Sequence, residues 1–215
     1  MNRTAIVTGA SRGIGAAIAA LLSRNGYSVC VNYHRSPERA REVVSAIHRE
    51  GGQAFCLGAD VSDSAQVDAL VSEAESRYGK IDLLVNNAAI ASQKLFTDIS
   101  EEEWDRLFAV DVKGAFLCSR AVLPSMISRK SGCIVNISSI WGLCGASCEV
   151  HYSAAKAALI GMTKALAQEV GPSGIRVNCV APGVIDTEMN AIHGPQVLAS
   201  LAGDTPLCRL GRPEE

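Results

Sequence analysis

Short β-branched runs alternate with longer helical patterns along this whole chain, and that alternation restricts its fold more than any other feature. The runs Thr4–Val7, Ser28–Tyr33, Gln53–Leu57, Leu83–Asn86, Cys133–Ile137 and Arg176–Val180 read as strands. Helical patterns lie between them at Gly13–Asn25, Pro37–Glu50, Ser64–Tyr78, Glu101–Ser128 and Val150–Val170. Continuously apolar strands alternating with helices imply a parallel sheet covered on both faces. Right-handed crossovers then favour an α/β fold with a doubly wound, Rossmann-type parallel sheet. Helix punctuation agrees: Asn25-Gly26 and Tyr78-Gly79 stand at helix ends, and Ser100-Glu101-Glu102-Glu103 has the form of a capping box. Neither a repeat nor an interdomain linker breaks the pattern, so residues 1–215 read as a single domain.

Composition excludes several classes. A hydrophobic fraction of 48% argues against disorder, and a formal charge of -2 gives no polybasic surface for nucleic acid or anionic membrane. No segment offers the ~18 uninterrupted apolar residues of a membrane span. The chain enters its first strand by Thr4, which leaves no room for a signal peptide and points to the cytoplasm. The eight cysteines are scattered, mostly within apolar runs and without a C-x-x-C pair. They read as buried free thiols, and no metal site is expected.

Between the first strand and first helix lies Thr8-Gly9-Ala10-Ser11-Arg12-Gly13-Ile14-Gly15. Glycines there let backbone approach a pyrophosphate whose charge the helix N-terminus stabilises, so this loop is a nucleotide-binding candidate. An acidic residue about 20 positions further on would bind a ribose 2′-hydroxyl. The segment Val31-Asn32-Tyr33-His34-Arg35-Ser36 has no carboxylate. Arg12 and Arg35 can instead fork onto a 2′-phosphate, with Asn32 and Ser36 as extra donors, which favours NADP(H). Asp60, in Gly58-Ala59-Asp60-Val61, stands where it would accept from an adenine amino group or cap the next helix.

Tyr152 and Lys156 are four residues apart on one helical pattern and project from one face. An ammonium beside a phenol favours the phenolate, so Lys156 is expected to lower the pKa of Tyr152 from about 10. That makes Tyr152 a proton donor to a carbonyl oxygen receiving hydride. Ser139, at the end of the fifth strand, can hold the same oxygen from the other side.

Together these segments resemble the short-chain dehydrogenase/reductase family along nearly the whole chain. The matching motifs are Thr8-Gly9-Ala10-Ser11-Arg12-Gly13-Ile14-Gly15, Asp60-Val61, Asn86-Asn87-Ala88, Ile137-Ser138-Ser139, Tyr152-Ser153-Ala154-Ala155-Lys156 and Pro182-Gly183. Within the family, the runs Ile175–Thr187 and Pro206–Glu215 are most similar to those of bacterial 3-oxoacyl-(acyl-carrier-protein) reductases. The resemblance implies Tyr152 as acid/base, Lys156 on the nicotinamide ribose, and Ser139 rather than Ser138 orienting substrate. It also implies that Asn87 and Ala88 line the cofactor cleft, and that Ile185 and Thr187, after Pro182-Gly183, contact the nicotinamide end.

Three departures from the family pattern stand out. Its asparagine in the long fourth helix is Asp111 here, at a position that helps hold a water of the proton relay leading from the lysine. Ala89 replaces the usual glycine after Asn86-Asn87-Ala88. Members typically continue through one more helix and strand, so the C-terminus reads as incomplete after Pro213-Glu214-Glu215, residues that commonly open a helix. The protein, when full length, is expected to be a homo-oligomer, a tetramer or dimer.

Other residues read as packing or surface. His151 is expected at a surface or rim, because consecutive helical residues diverge by ~100°. His34, His48 and His193 show no ligand spacing. Cys144 and Cys148 read as packing residues, Trp141 as lining the substrate mouth or filling core, and Asp186 and Glu188 as solvated lid residues. The expected function is NADPH-dependent reduction of a carbonyl, on a small or acyl-carrier-linked 3-oxoacyl substrate in fatty acid synthesis. A sugar or polyol dehydrogenase shares every catalytic motif, and a non-catalytic NADP-binding protein is the reading from another class.

Overall fold

A computed structural model describes residues 3–191 and 194–215; His193 lies outside them. The strands are β1 (Arg3–Val7), β2 (Tyr27–Tyr33), β3 (Gln53–Gly58), β4 (Leu83–Asn86), β5 (Gly132–Ile137) and β6 (Ile175–Val180). All pair in parallel, in the order β3-β2-β1-β4-β5-β6. The helices are α1 (Gly13–Arg24), α2 (Pro37–Arg49), α3 (Ser64–Tyr78), α4 (Glu101–Phe108), α5 (Gly114–Arg129), α6 (Trp141–Cys144), α7 (Val150–Val170) and α8 (Pro195–Gly203). This is the doubly wound, Rossmann-type sheet expected, with its switch point between β1 and β4. None of the described helices is long and apolar enough to cross a membrane.

Strand residues alternate between two apolar layers. Ile6, Cys30, Leu84 and Ile134 join a core with residues of α3 and α5. Ala5, Val7, Val29, Val31 and Val85 join a second core with residues of α1 and α2. Since both faces are covered, the strands are apolar throughout instead of alternating with polar residues.

The single helix expected at Glu101–Ser128 is two helices. Ser100 caps α4 in a reciprocal capping box with Glu103. A π-helical turn, Ala109–Lys113, then separates α4 from α5. Such turns accommodate an extra residue within a helix and commonly mark functional sites. Here it buries Val110 and Asp111. A second feature without a periodic signature is α8, in a stretch that reads as merely polar.

A buried polar chain joins β4 and β5 to the helices around them. The Asn86 amide donates to Asn136 Oδ1 (2.8 Å) and Ser119 Oγ (3.1 Å). Asn136 in turn donates to Thr163 Oγ1 on α7 (2.8 Å). Such a network, away from water, fixes the position of α7 against the sheet.

Candidate active site

The glycine loop leaves β1 at the switch point and is clasped from two sides. Asn87, just past β4, donates through Nδ2 to the carbonyls of Thr8 (2.9 Å) and Gly9 (3.2 Å). The Thr8 hydroxyl accepts from the backbone N–H of Asn87 (2.9 Å) and Ala88 (3.0 Å). Close approach explains two glycines. A Cβ on Gly9, whose φ is +61°, would lie 2.8 Å from Ala88 Cα, and one on Gly15 would lie 2.5 Å from Asn87 Nδ2.

Asn32 clasps the loop from β2. Its Oδ1 accepts from Gly9 N (3.2 Å), and its Nδ2 faces the carbonyls of Tyr33, Leu57 and Ala59. The expectation that Asn32 donates to a cofactor phosphate is therefore corrected, because its amide already serves the backbone. Val61 likewise lies in the α3–α5 core.

Asp60 does not cap α3; Asp63 does, accepting from Ala65 N and Gln66 N. Asp60 instead accepts from Ser62 N and Oγ and from Arg106 Nη2 (3.0 Å), with His34 Nε2 at 3.6 Å. Burial opposes its charge, but the Ser62 and Arg106 bonds prevail and hold its pKa at about 2.

The loop suits a dinucleotide phosphate. Among the described residues no side chain caps α1 and no acidic residue stands in its first turn, so its positive end faces outward. Ser11 and Ile14 are half-buried there, while Arg12 and Arg35 are exposed. Glu188 is more than a solvated lid residue: its carboxylate pairs with Arg39 of α2 and lies 3.7 Å from Arg12.

Ser139, Tyr152 and Lys156 meet at the C-terminal end of β5. Tyr152 is 9% and Lys156 2% exposed. Ser139 Oγ accepts from Trp141 N (3.2 Å) and acts on the Tyr152 phenol, while the neighbouring Ser138 hydroxyl donates to the Lys156 carbonyl (2.7 Å) and anchors α7. Lys156 Nζ donates to the Ile137 carbonyl (3.2 Å), stands 3.2 Å from Asp111 Oδ2, and lies 5.4 Å from the Tyr152 ring centroid. Asp111 is 1% exposed, and its Oδ1 accepts from Ile90 N (2.9 Å).

The expected depression of the Tyr152 pKa is reversed. Burial, and then the Asp111 carboxylate, push the phenol above its ordinary range, with only the Ser139 bond opposing. Burial also raises the carboxyl of Asp111, against the pull of Lys156.

His151 is likewise corrected from rim to core, at 0% exposed. Ser92 meets its ring, with Oγ 2.8 Å from Nε2. Trp141 packs with Leu107, Phe108 and Tyr152. Cys144 is exposed and Cys148 half-buried, so the reading of mostly buried thiols holds only for Cys30 and Cys118.

The segment after β6 returns over the site. The Pro182 carbonyl accepts from Ile140 N (2.8 Å), tying the segment to the Ser139 loop just before the exposed Gly183. Ile185 forms a parallel bridge with Gly211, and Thr187 lies within contact of a Cβ built on Gly13. Residues with no motif of their own, Asn136, Thr163, Arg39 and Ser92, complete the surroundings. Only their contacts reveal them.

Comparison with known proteins agrees with this arrangement. The chain is 41% identical over 212 residues to a 3-oxoacyl-(acyl-carrier-protein) reductase of Staphylococcus aureus, covering 99% of this chain and 86% of that one. It is 41% identical over 214 residues to the reductase of the same name from Synechocystis, covering 99% and 85%. A crystal structure of a dehydrogenase/reductase from Sinorhizobium meliloti superposes with a TM-score of 0.91 at 36% identity, over 99% of this chain and 83% of that one. The family model for short chain dehydrogenases matches residues 3–197, and the protein belongs to that family of oxidoreductases.

Proposed function

We propose that this protein is an NADPH-dependent reductase that converts a carbonyl to a secondary alcohol, with a 3-oxoacyl thioester carried on an acyl carrier as substrate. The observation that carries this reading is the meeting of Ser139, Tyr152 and Lys156 at the C-terminal end of β5, in a sheet whose glycine loop opens an α1 with no side-chain cap among the described residues. The reductases named above favour the acyl thioester. Bound along the glycine loop, NADPH would supply a hydride to the carbonyl carbon and leave as NADP⁺. As the C–H bond forms, the C=O π pair moves onto oxygen, which takes the Tyr152 proton. Ser139 donates a hydrogen bond to the same oxygen and orients it. Lys156 holds a positive charge beneath the site and is placed for a ribose hydroxyl. Trp141, Leu107 and Phe108 screen the phenol from water.

Preference for the phosphorylated cofactor follows from Arg12 and Arg35 and from the lack of a carboxylate at the end of β2. We further place the protein in the cytoplasm and read it as a homo-oligomer, the latter supported by exposed Phe116 and Leu143. The deciding measurement is the oxidation of NADPH and of NADH, followed by absorbance, with an acetoacetyl thioester and with a panel of sugars. The reading expects turnover with NADPH and the thioester. Turnover of a sugar alone makes the protein a polyol dehydrogenase, and none with either makes it a binding protein.

A further inference from the structure

We propose that Asp111 is a positioning residue that neutralises Lys156 and so holds Tyr152 as the phenol, extending carbonyl reduction into alkaline pH and confining alcohol oxidation to it. The inference rests on the carbonyl chemistry proposed above. The two charges are buried together, 3.2 Å apart, with Asp111 fixed by Ile90 N and Lys156 by the Ile137 carbonyl. At the phenol, a compensated pair acts as a dipole instead of a lone cation, and in a poorly polarisable interior that difference is large. An asparagine in place of Asp111 would leave the cation uncompensated.

Among the described residues, Asp111 is the carboxylate within ion-pair distance of Lys156. Tyr152 is faced by Asp111 from the π turn, by Glu149 just before α7, by the Ser139 hydroxyl and by Lys156 itself. His151 faces Asp111, with the Lys94–Glu103 pair beyond it. From α4 come the apolar Leu107 and Phe108 and, beyond His151, the Glu103 carboxylate paired with Lys94, and from α6 comes Trp141. Burial and Asp111 both act to retain the phenolic proton. Reduction consumes that proton, so it continues for as long as the phenol persists. Oxidation needs the phenolate, so it begins only where the proton is lost.

The test measures kcat at saturating substrates across pH for acetoacetyl thioester reduction and 3-hydroxy thioester oxidation, in the wild type and in Asp111→Asn. The basic limb of reduction is expected to fall by about one unit or more in the variant, with oxidation near neutral pH rising about tenfold, the equivalent of one pKa unit. Limbs that coincide within about 0.3 unit would overturn the proposal. Direct titration of the phenol, by ultraviolet difference against Tyr152→Phe, needs no turnover. In the wild type Tyr152 should titrate above the ordinary value of about 10. Titration below it overturns the charge argument even if Asp111→Asn fails to fold. Should no substrate turn over while Tyr152 titrates high, the reductase reading fails and the neutralised pair stands.

Discussion

Tyr152 carries the most direct prediction at the scale of single residues. Replacing it with Phe removes the acid and keeps the ring that packs with Leu107 and Ala155. Turnover should fall by at least about 10²-fold, the usual scale of general acid catalysis. NADPH affinity, read by fluorescence titration, should barely change; a variant with near-normal turnover excludes the proposed acid. Tyr152 and Lys156 are legible in sequence because a four-residue spacing on a helix fixes which side chains share a face. Asp111 is recognisable there as a departure, but its ion pair with Lys156 is not, because only the folded chain brings the π turn against α7. The same limit reversed the expectation for the phenol, whose pKa answers to burial and to a distant carboxylate. His151 shows it again: helical geometry gives no warning that its ring is buried against Ser92.

Among the elements, α7 holds its place through the buried chain Asn86–Asn136–Thr163. Asn136→Ala should remove one buried hydrogen bond from each partner, leaving Asn86 on Ser119 and Thr163 on the Leu159 carbonyl, and cost about 2 kcal/mol, measured by denaturant unfolding. An unchanged midpoint would show that the network positions nothing. The segment after β6 gives a second prediction. Glu188 engages Arg12 and Arg39 beside the glycine loop, so a cofactor phosphate must compete with a carboxylate for the same guanidinium groups. Glu188→Gln should tighten NADPH binding about 3-fold, in keeping with a half-exposed ion pair, and leave NADH binding unchanged. Equal effects on both cofactors would disconnect Glu188 from the phosphate. The strands and most helices were legible because their period is local. The break at Ala109–Lys113 was not: a π turn accommodates its extra residue without disturbing the apolar pattern on either side.

Across the whole molecule, the sheet is protected everywhere except along its margins. Among the described residues β6 pairs with β5, and Leu143, Ile160, Val177 and Cys179 line a groove beside it. Such edges pair with further chains. Light scattering should report a mass above the 22.6 kDa of one chain, reduced by Val180→Lys; a monomer at all concentrations would remove the edge from the account of assembly. The switch point has a different consequence. Residues 3–79 build β1, β2, β3 and the glycine loop, while the residues proposed to act on the carbonyl, Ser139, Tyr152 and Lys156, follow β4. The proposed phosphate-binding Arg12 and Arg35 and the proposed acid Tyr152 therefore lie in successive stretches of the chain, joined across the β1–β4 ladder and the clasp of Thr8 with Asn87. A recombination crossover near Lys80 would exchange the first without editing the second, provided both parents keep that clasp.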